Sequence, residues 1–311
     1  MQPREMLLGD VYNLLLKNGF ATSNPKDLMH AGFDIVARKD KLILIIKIVA
    51  NAGSISASGV AGMTALSRAV DGASLILSPK SGSEPMEDGV VYTRGGVPLM
   101  SPNTFYDLIF EGVPPLVYAA SGGYYVNINS KAIKLARERG MSLGDLAEMG
   151  GVSRRTIRMY EDGMGAKLEV AIRLEEKMGI PLIVPVDPLE PLSEMDEHIE
   201  ENVAVGLVRD VFNKLHQMGY SVKQTDRCPF DAVTLDKNTI LFTGIENKDS
   251  NLPARARAIS NLSKVLEKHS VIFVDKRGRR VNMSGTPIIG CKELNNAQDK
   301  KKFMEMVEER L

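Results

Sequence analysis

The sequence predicts a multidomain α+β protein in which two similar α/β domains flank a small all-α domain. This prediction rests on an internal repeat, on breaks rich in proline and glycine near the middle of the chain, and on helical periodicity between these breaks. The chain has 311 residues, which is enough for two or three domains, each with its own core. We place the domains at residues 1–115, 124–185 and 196–311.

The repeat begins with two amphipathic segments of twelve residues, five of which are identical. Residues 9–20 read GDVYNLLLKNGF, and residues 209–220 read RDVFNKLHQMGY. Each segment is typical of a helix that ends at a glycine cap and is followed by an aromatic residue that begins a strand. Three further matches follow in the same order, so each copy is predicted to have the order α-β-β-α-β-β-α. These matches pair residues 33–44 with 230–241, 66–80 with 262–276, and 97–100 with 286–289.

The two copies are separated by stretches that are typical of linkers. Residues 112–115 and 121–123 are rich in glycine and proline, and residues 186–193 contain two prolines and two acidic residues. The intervening residues, 124–185, show helical periodicity. We therefore expect a separate all-α domain in the middle of the chain.

The composition favours a cytoplasmic protein without a membrane segment. Lys and Arg together number 39, and Asp and Glu together also number 39, so the net charge is zero. This balance disfavours a protein that coats DNA non-specifically, because such binding depends on neutralising the phosphates. The longest apolar run, residues 42–50, is too short to span a bilayer, and the N-terminus lacks an export pattern. Cys228 and Cys291 have neither metal-site nor disulfide spacing, so we expect buried structural thiols in a reducing compartment.

The first helix of the middle domain is predicted from its caps and its apolar positions. Asn129 or Ser130 is a favourable N-cap, and Gly140 ends the helix. One face of this helix is expected to bury the apolar side chains of Ala132, Ile133, Leu135 and Ala136.

Local signals also predict the next three helices. Ser142 caps the second helix, and Asp145 three residues later comes close to a capping box. Gly151 supplies the positive φ of a tight turn between helices, and Ser153 caps a third helix that ends near Glu161. A fourth helix covers residues 168–178, and the expected core positions of the three helices are Leu143, Leu146, Ala147, Val152, Val170, Ala171, Leu174 and Met178.

This segment resembles the helix-turn-helix of the cro/C1 family over about 50 residues. The pattern is nearly complete, with Leu-Ala-Glu at 146–148, Gly-Val-Ser-x-x-Thr-Ile at 151–157 and Tyr-Glu-x-Gly at 160–163. The chain departs from the pattern at Gly150, where an apolar residue is usual, and the connection between the first two helices is about one residue shorter. The resemblance implies a DNA-binding transcription regulator, and a bundle used only for docking is the alternative.

The resemblance assigns roles to residues of the third helix. Arg154 and Arg155 would face base edges in the major groove, with Met159 one turn further on, and arginine suits the O6 and N7 atoms of guanine. The alternative is that Arg154 and Arg155 are solvated surface charges that contact no base. Glu161 would pair with Arg137. The residues placed for contacts with the DNA backbone are Ser142, Ser153, Thr156 and Arg158.

The outer domains resemble restriction-endonuclease-like and archaeal Holliday-junction-resolvase folds. In those folds an Asp, followed on the next strand by Glu-x-Lys, holds Mg²⁺ and activates water. The N-terminal copy has Asp34 and Lys47, but Ile45 stands where the resemblance requires a carboxylate. We therefore expect this copy to be inert, with Asp34 closing a hydrogen bond between a strand and a turn.

The C-terminal copy has Asp231 and a literal Glu-x-Lys at Glu246 and Lys248, displaced by about two residues from the position that an overlay predicts. We expect this copy to be inert as well, with Asp231 in the same structural role as Asp34. No catalytic residue, metal or cofactor is therefore predicted. The alternative is a Mg²⁺-dependent nuclease whose active site lies in the C-terminal domain.

The complete architecture resembles an archaeal family of HTH-type transcriptional regulators. The resemblance implies a regulator, not an enzyme, that binds double-stranded DNA. A single helix-turn-helix reads few base pairs, so we expect a homodimer, formed through the duplicated domains, that reads two half-sites one helical turn apart. A non-catalytic DNA- or partner-binding scaffold is a further alternative.

Overall fold

The computed structural model describes residues 3–56, 59–191, 205–237, 239–246, 252–276, 278 and 280–311. The chain divides into two compact units. Unit one contains residues 1–48, 56–74 and 189–311, and unit two contains residues 49–55 and 75–188. Each is described by itself below.

Eleven α-helices and eighteen strands lie in the described ranges. The helices are α1 (Pro3–Lys17), α2 (Ala61–Val70), α3 (Pro102–Tyr106), α4 (Ser130–Glu138), α5 (Leu143–Gly150), α6 (Arg154–Glu161), α7 (Leu168–Met178), α8 (Leu207–Gln217), α9 (Leu252–Leu266), α10 (Cys291–Asn296) and α11 (Lys300–Glu308). The strands are β1 (Ala21–Thr22), β2 (Ile35–Lys39), β3 (Leu42–Ile48), β4 (Ala73–Leu77), β5 (Lys80–Ser81), β6 (Glu84–Pro85), β7 (Val90–Arg94), β8 (Val97–Met100), β9 (Val117–Ala120), β10 (Gly123–Ile128), β11 (Ala166–Lys167), β12 (Ile183–Val184), β13 (Ser221–Gln224), β14 (Ala232–Asp236), β15 (Thr239–Glu246), β16 (His269–Val274), β17 (Asn282–Met283) and β18 (Thr286–Gly290).

In unit one, the N-terminal α/β region begins with α1 and an antiparallel sheet of β1, β2 and β3. Helix α1 buries Val11 and Leu15, and Gly19 follows it with a φ of +80°, which reverses the chain into β1. Strands β2 and β3 form a hairpin whose tight turn contains Asp40, at a φ of 52°. The predicted glycine cap and the charged turn are both confirmed.

The C-terminal α/β region of unit one contains a mixed six-stranded sheet. Its strand order is β13-β14-β15-β16-β18-β17, with antiparallel pairs at the edges and parallel pairs of β16 with β15 and β18 at the centre. Parallel strands need crossover connections, and α9 supplies the one between β15 and β16. The sheet and helices bury a core that contains Phe273 and Phe303, whose rings stack 6.1 Å apart.

Within unit one, the N-terminal and C-terminal α/β regions contact each other directly. Gly32 N donates to Arg227 O at 2.6 Å, and Arg257 Nε donates to Asp27 Oδ1 at 2.9 Å. Cys228 Sγ donates to Gly62 O at 3.4 Å, and burial raises the pKa of this thiol to about 12. Buried structural thiols were expected, and both cysteines are free thiols that are only partly buried.

Unit two is organised around a sheet with the order β4-β8-β7-β9-β10-β11, and β12 also pairs with β10. Strands β4 and β8 are parallel, β8 and β7 are antiparallel, and β7 and β9 are parallel. Strand β10 leads directly into Asn129, the N-cap of α4. The sheet therefore continues into the helical bundle formed by α4 to α7.

The prediction of an all-α middle domain is wrong, because β10 precedes the helices and pairs with both β11 and β12. Val126 and Ile128 of β10 lie in the same hydrophobic core as the helices. The expected linker at residues 121–123 is the turn of a hairpin between β9 and β10, in which Gly122 has a φ of +93°. Strands β11 and β12 pair with backbone N–H and C=O groups of β10 that would otherwise be left at an unpaired sheet edge.

Outside these strands, the sequence predicted the secondary structure of the α/β regions well. The expected helix followed by a buried strand is present as α2 and β4, and again as α9 and β16. Among the described residues, every helix is either too short or too polar to cross a membrane. The domain limits placed from sequence are not tested by the division into units and stay a prediction.

Candidate nucleic-acid interface and nuclease-like sites

Three side-chain caps begin the first three helices of the bundle at the residues predicted. Asn129 Oδ1 accepts from Ala132 N at 3.1 Å. Ser142 Oγ accepts from Asp145 N at 3.1 Å while Asp145 Oδ2 accepts from Ser142 N at 2.8 Å, which completes the capping box. Ser153 Oγ accepts a hydrogen bond from Thr156 N, in the first turn of α6, at 3.1 Å. The helix starts are therefore fixed by local chemistry.

The turn between α5 and α6 explains the departure from the family pattern at Gly150. A Cβ at Gly150 would lie 3.2 Å from the Leu174 side chain, so Leu174 of α7 already occupies that space. Arg173 Nη2 donates to the carbonyl of Gly150 at 2.9 Å. The next residue, Gly151, has a φ of +65°, as predicted.

The core of the bundle contains most of the apolar residues that the sequence analysis assigned to it. Leu146, Ile157 and Leu174 are fully buried, and Met178 packs against the core from its edge. Leu135 was expected to face inward, but it is 45% exposed. It lies two residues from the buried Ile133, about 200° around the helix, so the two side chains cannot share a face.

Helix α6 presents its basic side chains and Met159 to solvent, and its other apolar side chains pack against the core. Arg154, Arg155 and Arg158 are exposed, and Met159 is 41% exposed. Ile157, in contrast, is completely buried. The residues predicted to meet base edges therefore lie on one accessible side of the helix.

Arg154 lies across the start of α5. Its Nη2 atom is 3.2 Å from the position of a Cβ on Gly144, so a larger residue there would displace the guanidinium. Hydrogen bonds from Ser142 lower the pKa of Asp145, and the nearby charge of Arg154 lowers it further. The starts of α5 and α6 thus form one polar surface, on which Ser142 and Ser153 are exposed and Thr156 is partly buried.

An ion pair ties α4 to α6, as the sequence analysis expected. Arg137 Nη1 donates to both carboxylate oxygens of Glu161, at 3.0 and 3.2 Å, and Glu161 is almost fully buried. Ser130 Oγ donates to Tyr160 O at 2.8 Å and adds a second link between the same helices. These contacts hold the orientation of α6 within the bundle.

The hairpin of β9 and β10 beside α6 was not predicted. Together with α6 it borders a groove of about 600 Å³, whose lining includes Tyr118, Tyr125, Thr156 and Lys167. The signal was present in the sequence, because residues 116–128 contain two short runs rich in Val, Ile and Tyr that are joined by Ser-Gly-Gly. It was interpreted as a linker.

In the N-terminal α/β region, Asp34 closes the predicted hydrogen bond between strand and turn. Its Oδ2 atom accepts from Ile48 N at 2.7 Å, and its Oδ1 atom is paired with Arg4. Lys47 Nζ donates to Gly32 O at 2.9 Å, and burial lowers the pKa of this amine. Ile45 is fully buried. The position that needs a carboxylate therefore belongs to the hydrophobic core.

In the C-terminal α/β region, Asp231 makes the same hydrogen bond. Its Oδ2 atom accepts from Ile245 N at 2.6 Å and is paired with Arg255. Burial raises the pKa of Asp231, and the charge of Arg255 opposes this effect. Glu246 Oε2 lies 3.8 Å from Arg255 Nη1. Lys248, the other residue of the expected motif, lies outside the described residues.

The strand register shows which residues of the C-terminal region occupy the motif positions. Asp34 N bonds to Ile46 O and Asp231 N bonds to Thr243 O, so the two hairpins have the same alignment. The positions of the motif carboxylate and lysine then fall on Phe242 and Gly244. Phe242 is fully buried, and a Cβ on Gly244 would lie 2.9 and 3.0 Å from the side chains of α9 and β16.

These residues do not fit the Mg²⁺ ion that nuclease-like folds use. Divalent magnesium needs several oxygen ligands in near-octahedral geometry, and each site offers one aspartate at the expected place. Among the described residues, no group of three or more His, Cys, Asp or Glu side chains could hold a metal ion. No catalytic step through a metal follows from this arrangement.

Two known families match parts of the chain. Residues 4–115 match the PD-(D/E)XK superfamily domain, and residues 133–184 match the helix-turn-helix family. No solved structure matches the chain.

Full-length relatives occur in several archaea, and they are provisionally named HTH-type transcriptional regulatory proteins. The relative from Methanosarcina acetivorans is 33% identical over 99% of this chain and 97% of its own length. Those from Halorubrum lacusprofundi and Archaeoglobus fulgidus are each 34% identical, over 99% and 98% of this chain respectively and 97% of their own lengths. Since the similarity extends over nearly the whole chain, including the residues that match the helix-turn-helix family and the PD-(D/E)XK superfamily domain, the chain belongs to this archaeal family of HTH-type transcriptional regulators.

Proposed function

We propose that the chain is a sequence-specific, non-enzymatic transcription regulator that reads the DNA major groove with α6. The observation that supports this function best is the outer side of α6, where Arg154, Arg155 and Arg158 are exposed together. Three arginines on a short, well-capped helix match the chemistry of guanine and phosphate recognition. The family names of the relatives agree with this proposal.

Within this interface we assign Arg154 and Arg155 to base edges, with Met159 one turn further along the same side. Arg158 contacts the DNA backbone. Because the starts of α5 and α6 form one polar surface, phosphates would meet helix N-termini there, where backbone N–H groups and the helix dipole favour anions. The polar side chains that contribute phosphate contacts in this proposal are Ser142, Ser153 and Thr156.

The two α/β regions are, in this proposal, diverged copies of one domain, at 1–115 and 196–311, that flank the DNA-binding domain at 124–185. Their shared hydrogen bonds at Asp34 and Asp231 support the duplication. They would serve homodimerisation, because each chain contains one helix-turn-helix and two half-sites require two chains. The poor fit of both motif sites to a metal supports a non-enzymatic role.

Fluorescence anisotropy with salt titration tests the DNA-binding proposal. The DNA probes are the promoter region of the protein's own gene and a scrambled duplex of equal length. Arg155→Ala removes one base contact, which is worth about 1–3 kcal/mol, so we expect roughly 5- to 150-fold weaker binding to the promoter and a much smaller change on scrambled DNA. Two chains should bind each promoter duplex.

Two arginine variants serve as matched controls. Arg158→Ala should weaken binding to both duplexes equally and reduce the salt slope by about one, as loss of a phosphate contact does. Arg209→Ala, in α8 and outside the bundle, should change neither. Equal affinity of the unmodified protein for both duplexes would favour a DNA-binding scaffold over a regulator. An Arg155→Ala protein with full promoter preference would contradict the assignment of α6.

A further inference from the structure

Both nuclease-like sites contain a guanidinium beside the aspartate. We propose that Arg4 and Arg255 are permanent cations that stand in place of a divalent metal, and that removing Arg255 would uncover a metal-binding site at Asp231 and Glu246. Neither arginine belongs to the motif of the fold that the chain resembles, and sequence analysis assigned no role to either.

At the N-terminal site, Arg4 uses two of its nitrogen atoms. Arg4 Nε donates to Ile48 O at 2.9 Å, and Nη2 donates to Asp34 Oδ1. The second oxygen of Asp34 accepts from Ile48 N at 2.7 Å. Both oxygens of the carboxylate are therefore engaged by the protein itself, which removes the ligands that a cation would need.

At the C-terminal site, Arg255 makes one more hydrogen bond. Its Nε atom donates to Pro229 O and its Nη1 atom to Ile245 O, both at 2.7 Å, while Nη2 donates to Asp231 Oδ2. Glu246 Oε2 lies 3.8 Å from the same guanidinium. One positive charge thus faces two carboxylates, as a bound cation would.

The two arginines reach corresponding groups, a carboxylate and a backbone carbonyl, from different helices. Arg4 is on α1 and Arg255 is on α9, yet each binds the aspartate and the carbonyl at the matching position of the second hairpin strand, Ile48 or Ile245. A single inherited structural contact would place both arginines on the equivalent helix. Two separate solutions at one position indicate that this position requires a positive charge.

The two sites differ in what remains once the arginine is removed. The N-terminal site then has Asp34 as its carboxylate, with the buried Ile45 at the other motif position. The C-terminal site then has Asp231 together with Glu246. Two carboxylates bind a divalent cation far better than one, so only the C-terminal site is expected to gain a metal.

Titration with Mn²⁺, followed by the electron paramagnetic resonance signal of the free ion, tests this proposal on the full chain. The unmodified protein should show no saturable binding at the two sites. Arg255→Gln keeps a hydrogen-bond donor but removes the charge, and it should bind one Mn²⁺ saturably, at least tenfold more tightly than the upper limit that the titration sets for the unmodified protein. The gain should disappear in Arg255→Gln/Asp231→Asn, and Arg4→Gln should show none.

Three results would overturn the inference. One is saturable binding of Mn²⁺ to the unmodified protein, if the substitution Asp231→Asn abolishes that binding. This measurement does not depend on the folding of any arginine variant. A second is the absence of any gain in an Arg255→Gln protein whose circular dichroism matches that of the unmodified chain. Mn²⁺-dependent cleavage of linear or branched DNA that Glu246→Ala removes would also refute it, whatever the outcome of the promoter-binding assay.

Discussion

The junction between the β9–β10 hairpin and the helical bundle depends on a glycine with no room for a side chain. A Cβ at Gly165 would overlap the Tyr118 hydroxyl and lie 3.0 Å from Val126 O. Gly165 directly precedes β11, which pairs with β10. The change Gly165→Ala should therefore push the hairpin and the bundle apart.

The expected cost follows from two opposing contributions. Forcing a methyl group into a packed site typically costs about 1–3 kcal/mol, because neighbouring side chains must leave their preferred positions. Replacing glycine by alanine also restricts the unfolded chain, which returns about 0.4–1 kcal/mol. The net loss for Gly165→Ala should be about 1–2 kcal/mol of the free energy of opening. Tyr118→Phe removes the hydroxyl that the added methyl group would overlap. The double variant Gly165→Ala/Tyr118→Phe should therefore recover most of the lost free energy of opening.

Native-state hydrogen exchange on the full chain measures this local opening without assuming two-state unfolding. We expect amides of β10 and β11 to exchange roughly 5- to 30-fold faster in Gly165→Ala. Gly9→Ala is the matched control, because a Cβ there meets nothing within 4 Å. Unchanged exchange in Gly165→Ala, or no recovery with Tyr118→Phe, would refute the reasoning.

Two further predictions concern the same bundle. Arg137→Ala and Glu161→Gln should each speed hydrogen exchange of the α6 amides. The double variant should show a coupling energy of about 1–2 kcal/mol between the two residues, because Glu161 is buried while Arg137 is two-fifths exposed. Strictly additive effects of the two substitutions would contradict an interaction between these side chains. Hydrogen bonds from Ser142 lower the pKa of Asp145 below its ordinary 3.8, so its contribution to capping is present above about pH 4 and is lost as the pH falls through the lower folded-state pKa. The difference in α5 exchange between Asp145→Ala and the unmodified chain should therefore vanish in acid, and a constant difference would exclude the carboxylate as its cause.

The helix-turn-helix could be predicted because its signals are local. Ser142, Gly151 and Ser153 each act on backbone atoms within a few residues, so their identity fixes a cap or a turn whatever surrounds them. The prediction for Leu135 is wrong because the side chain is apolar but lies on the side of α4 opposite to Ile133. Packing decides burial, and the sequence shows only what could be buried.

The arginine pairs and the hairpin needed information from distant parts of the chain. Arg4 and Arg255 lie 30 and 24 residues from the aspartates that they bind. The pairing of β9 with β7 joins strands that are separated by α3. Such contacts depend on which elements the tertiary structure brings together, and a strand pattern of four residues does not specify its partner.

The contacts inside unit one also constrain how a dimer can form. The N-terminal and C-terminal α/β regions already pair within one chain, through Gly32 with Arg227 and Asp27 with Arg257. A Cβ on Gly62 would lie 2.6 Å from Asp226 O, so this face is closely packed. A surface buried within the chain is not available to a second copy. A homodimer that places two α6 helices on adjacent half-sites must therefore use another face, and substitutions between the two α/β regions should alter the stability of each chain before they alter its pairing.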